Sequence, residues 1–330
     1  MQSVVAHTAA QFRRALIMPN LAPPVETVEQ AHAYRGRILA AAAGSGFQPL
    51  MTLYLTPRTT AEEVRRAAAD PHVIAIKLYP AGATTNSDAG VRGLEGSFAV
   101  LEAMAEAGLP LCIHGEVTDP AVDVFDREAR FVGDVLAPLT ERFATLPIVL
   151  EHITTAEAAG FVRSARAGVA ATITVHHLLY NRNALFRGGM RPDYYCLPVL
   201  KRESHRRALV AAAISGDPRF FLGTDSAPHP RSGKHAACGC AGIYTAHAAL
   251  PLYAQVFESA GALHRLEAFA SHFGADFYRL PRNTARIELR REPWQVPAEY
   301  EFGDEVLTPL AAGETLAWSV GALTESGAPA

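Results

Sequence analysis

Residues 73–87 read VIAIKLYPAGATTNS. The apolar, mostly β-branched run at 73–76 has the composition of a strand buried on both faces, and it stops abruptly on Lys77. Burying an unpaired ammonium costs several kcal/mol, so Lys77 either reaches solvent, pairs with an acid or is chemically altered. Past Pro80, residues 81–90 are small and polar, carry Thr84 and Thr85, and offer no large apolar anchor, which predicts a mobile loop beside the lysine.

Working outward from this stretch, short apolar runs alternate with longer amphipathic segments, the pattern of repeated β/α units around a parallel sheet. Strands are expected at 15–18, 49–55, 73–77, 110–114, 148–152, 169–175 and 220–224. Helices are expected at 28–43 after the Pro23-Pro24 break, at 60–69 behind a Thr60 cap with Glu63 three residues on, and at 94–107, 155–167 and 202–214. From about Asn283 the texture changes. Residues 285–289 and 316–320 look like short strands among prolines, so the chain divides into a barrel over 1–282 and a C-terminal extension over 283–330 packed on it.

Composition narrows the function classes. The chain has 330 residues, 49% of them hydrophobic, and a net charge of −3, enough apolar material for one large α/β domain. With no basic block or stripe, non-specific nucleic-acid binding is excluded as a theme. Apolar runs are broken well short of a membrane span and no signal-peptide layout opens the chain, so a soluble cytoplasmic protein is expected. Four cysteines do not make a disulfide framework in so long a chain, and Cys238-Gly-Cys240 is spaced too closely for a Cys-x-x-Cys zinc clip; they read as reduced thiols.

The reactive side chains fall at equivalent places on this pattern. Asn20 follows the first run, Lys77 ends the third, His114 the fourth and His152 the fifth, while Asp225 and His229 follow the seventh. All are carboxyl ends of strands, the face on which a (β/α)8 TIM barrel builds its active site. One histidine at a strand end is ordinarily structural. Two histidines with a lysine and an aspartate at equivalent ends point to a metal site, because imidazole and carboxylate are expected ligands of zinc. His176 and His177 also end an apolar run and stand as a second choice for that role.

These residues carry a resemblance. The segments ALIMPNLAPPVETVE (15–29), KLYPAGATTNS (77–87), IHGEVT (113–118), EHITT (151–155), NRNALFRGGMRPDYYCLPVLKR (181–202), GTDSAPH (223–229) and CGCAG (238–242) resemble, in order and over essentially the whole chain, the bacterial class II dihydroorotases. Members of that family are amidohydrolases that interconvert dihydroorotate and N-carbamoyl-aspartate in pyrimidine synthesis. The resemblance implies two zinc ions per subunit bridged by an N6-carboxylated Lys77, with His114 and His152 on one zinc and Asp225 on the other. It further implies that Asp225 relays the proton of an attacking hydroxide to the leaving nitrogen, that Asn20, His229 and the backbone near Leu197 and Ala241 hold the substrate, and that Thr84 and Thr85 close over it. A homodimer is implied by the resemblance alone.

One departure is large. The family carries a His-x-His-x-Arg motif at the end of its first barrel strand, and nothing here occupies that place. Counting agrees, because residues 1–13 look like the helix that follows such a strand, and only seven strands come after it. His7 lies within that helix and has no partner two residues away. The expectation is a barrel lacking strand 1, through a start assigned too far downstream or a real loss, with one zinc position under-liganded and activity impaired. A non-catalytic partner of a carbamoyltransferase, or another cyclic-amide hydrolase such as a hydantoinase, remains the alternative.

Overall fold

The computed structural model describes residues 2–324. Its centre is one sheet of seven parallel strands in sequential order, β1 (Arg14–Ile17), β2 (Gln48–Tyr54), β3 (Val73–Leu78), β4 (Leu111–His114), β5 (Ile148–Glu151), β6 (Val169–Ile173) and β7 (Phe220–Leu222). Each neighbouring pair is joined through a right-sized crossover, and all six pairings are parallel. Strand boundaries differ by at most two residues from those expected, because side-chain pattern does not report where ladder hydrogen bonds stop.

The sheet curls into an open barrel. Among the described residues β1 and β7 are not paired, in keeping with the seven strands counted from sequence where a closed TIM barrel has eight. Inside the curl lie small or slender residues, Ala75, Cys112, Val149 and Ala170, and into the space they leave come Phe273, Phe277 and Tyr278 from the chain beyond β7. Tyr278 reaches far enough for its hydroxyl to lie 3.3 Å from Cys112 Sγ.

Local chemistry sets the helices. Val28–Ala41 begins at Thr27 with a reciprocal capping box to Gln30. Ala61–Ala69 begins at Thr60, whose hydroxyl accepts from Glu63 N at 3.2 Å. Glu63 departs from the expected pattern: its carboxylate does not close a box on Thr60 but accepts from Val28 N at 2.7 Å, capping the neighbouring helix. Helical residues 127–142, with a wider turn at Val132–Leu136, and the helix Ala249–Ser259 went unread in the sequence. Eight residues of Ala249–Ser259 are buried, so it lacks the polar face that makes an amphipathic period visible.

Beyond residue 283 come antiparallel ribbons: Arg286–Arg290 with Ser319–Thr324, Trp294–Gln295 with Thr315–Leu316, and Tyr300–Phe302 with Glu305–Leu307. The strand expected at 316–320 is therefore split between two ribbons. Trp318 Nε1 donates to Glu258 on the helix Ala249–Ser259 at 3.0 Å, and Tyr300 packs edge-on against His7 of the first helix, Gln2–Ala9. His7 is engaged there by the Tyr244 hydroxyl at 2.6 Å, away from the strand ends. All four cysteines are free thiols.

Candidate active site

The carboxyl ends of the strands open on a cavity of about 1210 Å³, lined by Asn20, Lys77, Thr84, Thr85, His114, His152, Leu197, Asp225, His229 and Ala241. Its far side runs down the seam between β1 and β7, past Leu16, Phe221 and Leu222.

Lys77 is 1% exposed, and of the three fates open to it in the sequence the structure shows pairing: its Nζ donates to Glu151 Oε2, while the Tyr79 ring lies 5.0 Å away. Glu151 went unread as a site residue. In a regular strand, neighbours point to opposite faces, so Glu151 and His152 could not both reach the mouth. His152 has φ +45°, a left-handed conformation that breaks the alternation and brings both side chains to the cavity. The turn after it is clamped by the buried carboxylate of Glu128, which accepts from the backbone and hydroxyls of Thr154 and Thr155 at 2.6–2.9 Å.

His114 and His152 stand with ring centroids 4.8 Å apart. Glu116 Oε2 lies 2.8 Å from His114 Nε2, whereas His152 Nδ1 is buried without a hydrogen-bond partner. Burial, then the Lys77 charge, pushes the His152 pKa far down, so the ring is neutral with a lone pair to offer. A neutral, unpartnered imidazole beside a second imidazole and two carboxylates is the donor set a divalent cation such as zinc takes. Asp225 sits in the same left-handed conformation, φ +41°, and burial raises its carboxyl pKa to about 6, against the opposing pull of Lys77. A group poised there takes up and gives back a proton near neutrality.

The loop expected to be free is tied down. Asn20 Nδ2 donates to Thr85 O at 3.1 Å and Tyr79 OH donates to Asn20 Oδ1 at 3.0 Å, while Thr85 Oγ1 donates to Ala241 O at 3.2 Å. Ser87, 1% exposed, bonds to Thr84 in both directions. His229 Nε2 also donates to Ala241 O, at 3.0 Å, so the 81–90 loop, the β7 loop and the segment at Ala241 meet at one carbonyl.

The second choice resolves differently. His176, His177 and Cys196 lie together with ligand atoms within 4.8 Å, but His177 is used by Thr174 at 2.6 Å and Pro198 O at 3.0 Å. Burial pushes the Cys196 thiol up to about 12, keeping it protonated. His177 holds the backbone next to Leu197 rather than facing the cavity.

The model of the amidohydrolase family matches residues 2–315. A dihydroorotase of Cupriavidus necator is 63% identical over 317 residues, 96% of this chain and 92% of that protein. The chain belongs to the amidohydrolase family, among its dihydroorotases. Another dihydroorotase, from Laribacter hongkongensis, is 62% identical over 96% of this chain and 93% of its own. Among solved structures, the dihydroorotase of Saccharomyces cerevisiae in complex with 5-fluoroorotic acid superposes with TM-score 0.91 at 34% identity, covering 98% of this chain and 93% of its own. The L-hydantoinase of Arthrobacter aurescens shares the fold alone, at TM-score 0.78 and 15% identity over 98% of this chain and 80% of its own. As an amidohydrolase, this chain is an enzyme of the class that hydrolyses cyclic amides at a metal-dependent barrel mouth.

Proposed function

We propose that the chain catalyses the reversible hydrolysis of the cyclic amide of dihydroorotate to N-carbamoyl-aspartate, as a cytoplasmic homodimer. What supports this reading most is the convergence of Lys77, His114, His152 and Asp225 on one cavity with Asn20, Thr85, His229 and Ala241 around it. Lys77, as its carbamate, would help hold two zinc ions, with His114 and His152 holding one and Asp225 the other. When bound, the ions polarise the ring carbonyl and supply a nucleophile at neutral pH. Asp225 receives a proton on its carboxylate and returns it to the ring nitrogen as that bond breaks. Asn20, His229 and the peptide groups at Leu197 and Ala241 orient the ring and its carboxylate, and Thr84 and Thr85 cover it and exclude water.

Carboxylation, which releases two protons, would turn the Lys77 cation into an anion beside Glu151, and bound metal cations would offset that change of charge. Of the cavity's imidazoles among the described residues, His114 and His152 form the close pair and His229 is bonded to the Ala241 carbonyl, so we assign the Asp225 position the weaker metal affinity. Residues 1–282 form the barrel and 283–330 its extension in this reading. Phe186 and Met190 are 56% and 73% exposed on one segment, which supports a subunit contact there.

The test is hydrolysis of dihydroorotate by the chain loaded with zinc and bicarbonate, with hydantoin as the competing substrate. Turnover of dihydroorotate that chelation abolishes supports the reading. Preference for hydantoin, or turnover that survives chelation, defeats it. No helix among the described residues is long and apolar enough to cross a membrane.

A further inference from the structure

Lys234 ends the short helix Arg231–Lys234 and is 6% exposed. An ammonium has three N–H groups, and all three here go to backbone carbonyls: Tyr195 O at 2.7 Å, Gly242 O at 2.7 Å and Cys240 O at 3.0 Å. No proton is left for a carboxylate. A buried ammonium without a paired acid is costly, so its acceptors identify what it is there to hold.

Those acceptors are placed around two residues of the cavity wall. Cys240 and Gly242 flank Ala241, and Tyr195 lies two positions before Leu197. Gly242 N donates to Tyr195 O at 3.0 Å, stitching the two segments together directly. The Ala241 carbonyl is fixed separately by His229 and Thr85. Slack is absent on the other side as well: a Cβ on Gly242, at φ +151°, would come within 2.8 Å of Ala227 and His229. Leu197 and Ala241 both line the cavity, and among the described residues neither backbone N–H has a hydrogen-bond partner. Lys234 itself does not line the cavity.

We propose that Lys234 is a positioning residue for the substrate: by gathering carbonyls on both sides of Ala241 and just ahead of Leu197, it sets two unpaired backbone N–H groups at a fixed separation for an anionic or carbonyl edge of the ring. This rests on the reading that the cavity takes dihydroorotate. Lys234 acts through the two segments and takes no part in bond breaking.

The experiment compares Lys234→Met, which keeps the length and removes every donor, with Lys234→Gln, which keeps two N–H groups. The dissociation constant for dihydroorotate, the zinc content and the melting temperature are measured for each, with KM and kcat where turnover permits. Displacement of a binding group by about an ångström costs about 100-fold, so Lys234→Met is expected to weaken binding about 10- to 100-fold, with KM rising more than kcat falls and zinc content unchanged. Lys234→Gln falls between. Wild-type affinity in Lys234→Met overturns the proposal, and so does weakening that comes in both variants only with loss of zinc and of the folded baseline. A wild-type chain that does not bind dihydroorotate removes the substrate reading first, and this inference with it.

Discussion

The imidazoles of His114 and His152 face each other at 4.8 Å, inclined by 60°, although they are carried by different strands, 38 positions apart in the chain. Burial holds His152 neutral and leaves its Nδ1 without a partner. In the proposed reading these two rings hold the tighter metal position. Replacing either with alanine is expected to remove most bound zinc, measured by elemental analysis after dialysis. Full zinc content in His114→Ala would sink the assignment.

Asp225→Asn keeps the shape of the carboxylate and removes its basicity. Loss of a positioned acid–base group costs about 10²- to 10⁴-fold in rate. Turnover should fall by that order while zinc on the His114 and His152 side remains. Kinetics and metal analysis of the same preparation decide it, and near-normal turnover rejects the role.

Thr85 donates to the Ala241 carbonyl through its hydroxyl and accepts from Asn20 Nδ2 at its own carbonyl. Substituting Thr84 and Thr85 together with alanine should slow catalysis about tenfold or more yet lower stability by only about 1 kcal/mol, the net worth of a hydrogen bond. A large fall in melting temperature with unchanged kinetics would make the segment structural.

Burial lowers the pKa of both His176 and His247 to about 3. The unfolded chain takes up these protons near pH 6.5 and the folded chain does not, so the contribution to stability is complete above about pH 6.5 and is lost as pH falls toward 3. Each histidine contributes about 1.4 kcal/mol per pH unit across that window. Thermal unfolding of metal-free protein between pH 7.5 and 4.5 should show the slope, and His176→Gln should make it shallower. An identical slope in the variant means His176 is already charged in the fold.

The sequence by itself determined the seven parallel strands, the alternation with helices and the placing of Lys77, His114, His152 and Asp225 at strand ends, because each depends on local hydrophobic period and on where an apolar run stops. It also determined, through seven segments in family order, the membership that the comparisons bear out. Only the tertiary structure decided the partner of Lys77. Glu151 follows Val149 on the inner face of β5 and Lys77 follows Ala75 on that of β3, but which inner-facing acid meets the lysine depends on the curl of the sheet, and the left-handed backbone that turns His152 to the same mouth is announced by no residue pattern. The helix Ala249–Ser259 was hidden because burial on most sides erases the polar face that sequence reading depends on, and residues 127–142 because the wider turn at Val132–Leu136 breaks the regular helical period. The work of Lys234 and His177 is invisible in sequence because both hold backbone carbonyls, and every residue presents the same carbonyl whatever its side chain.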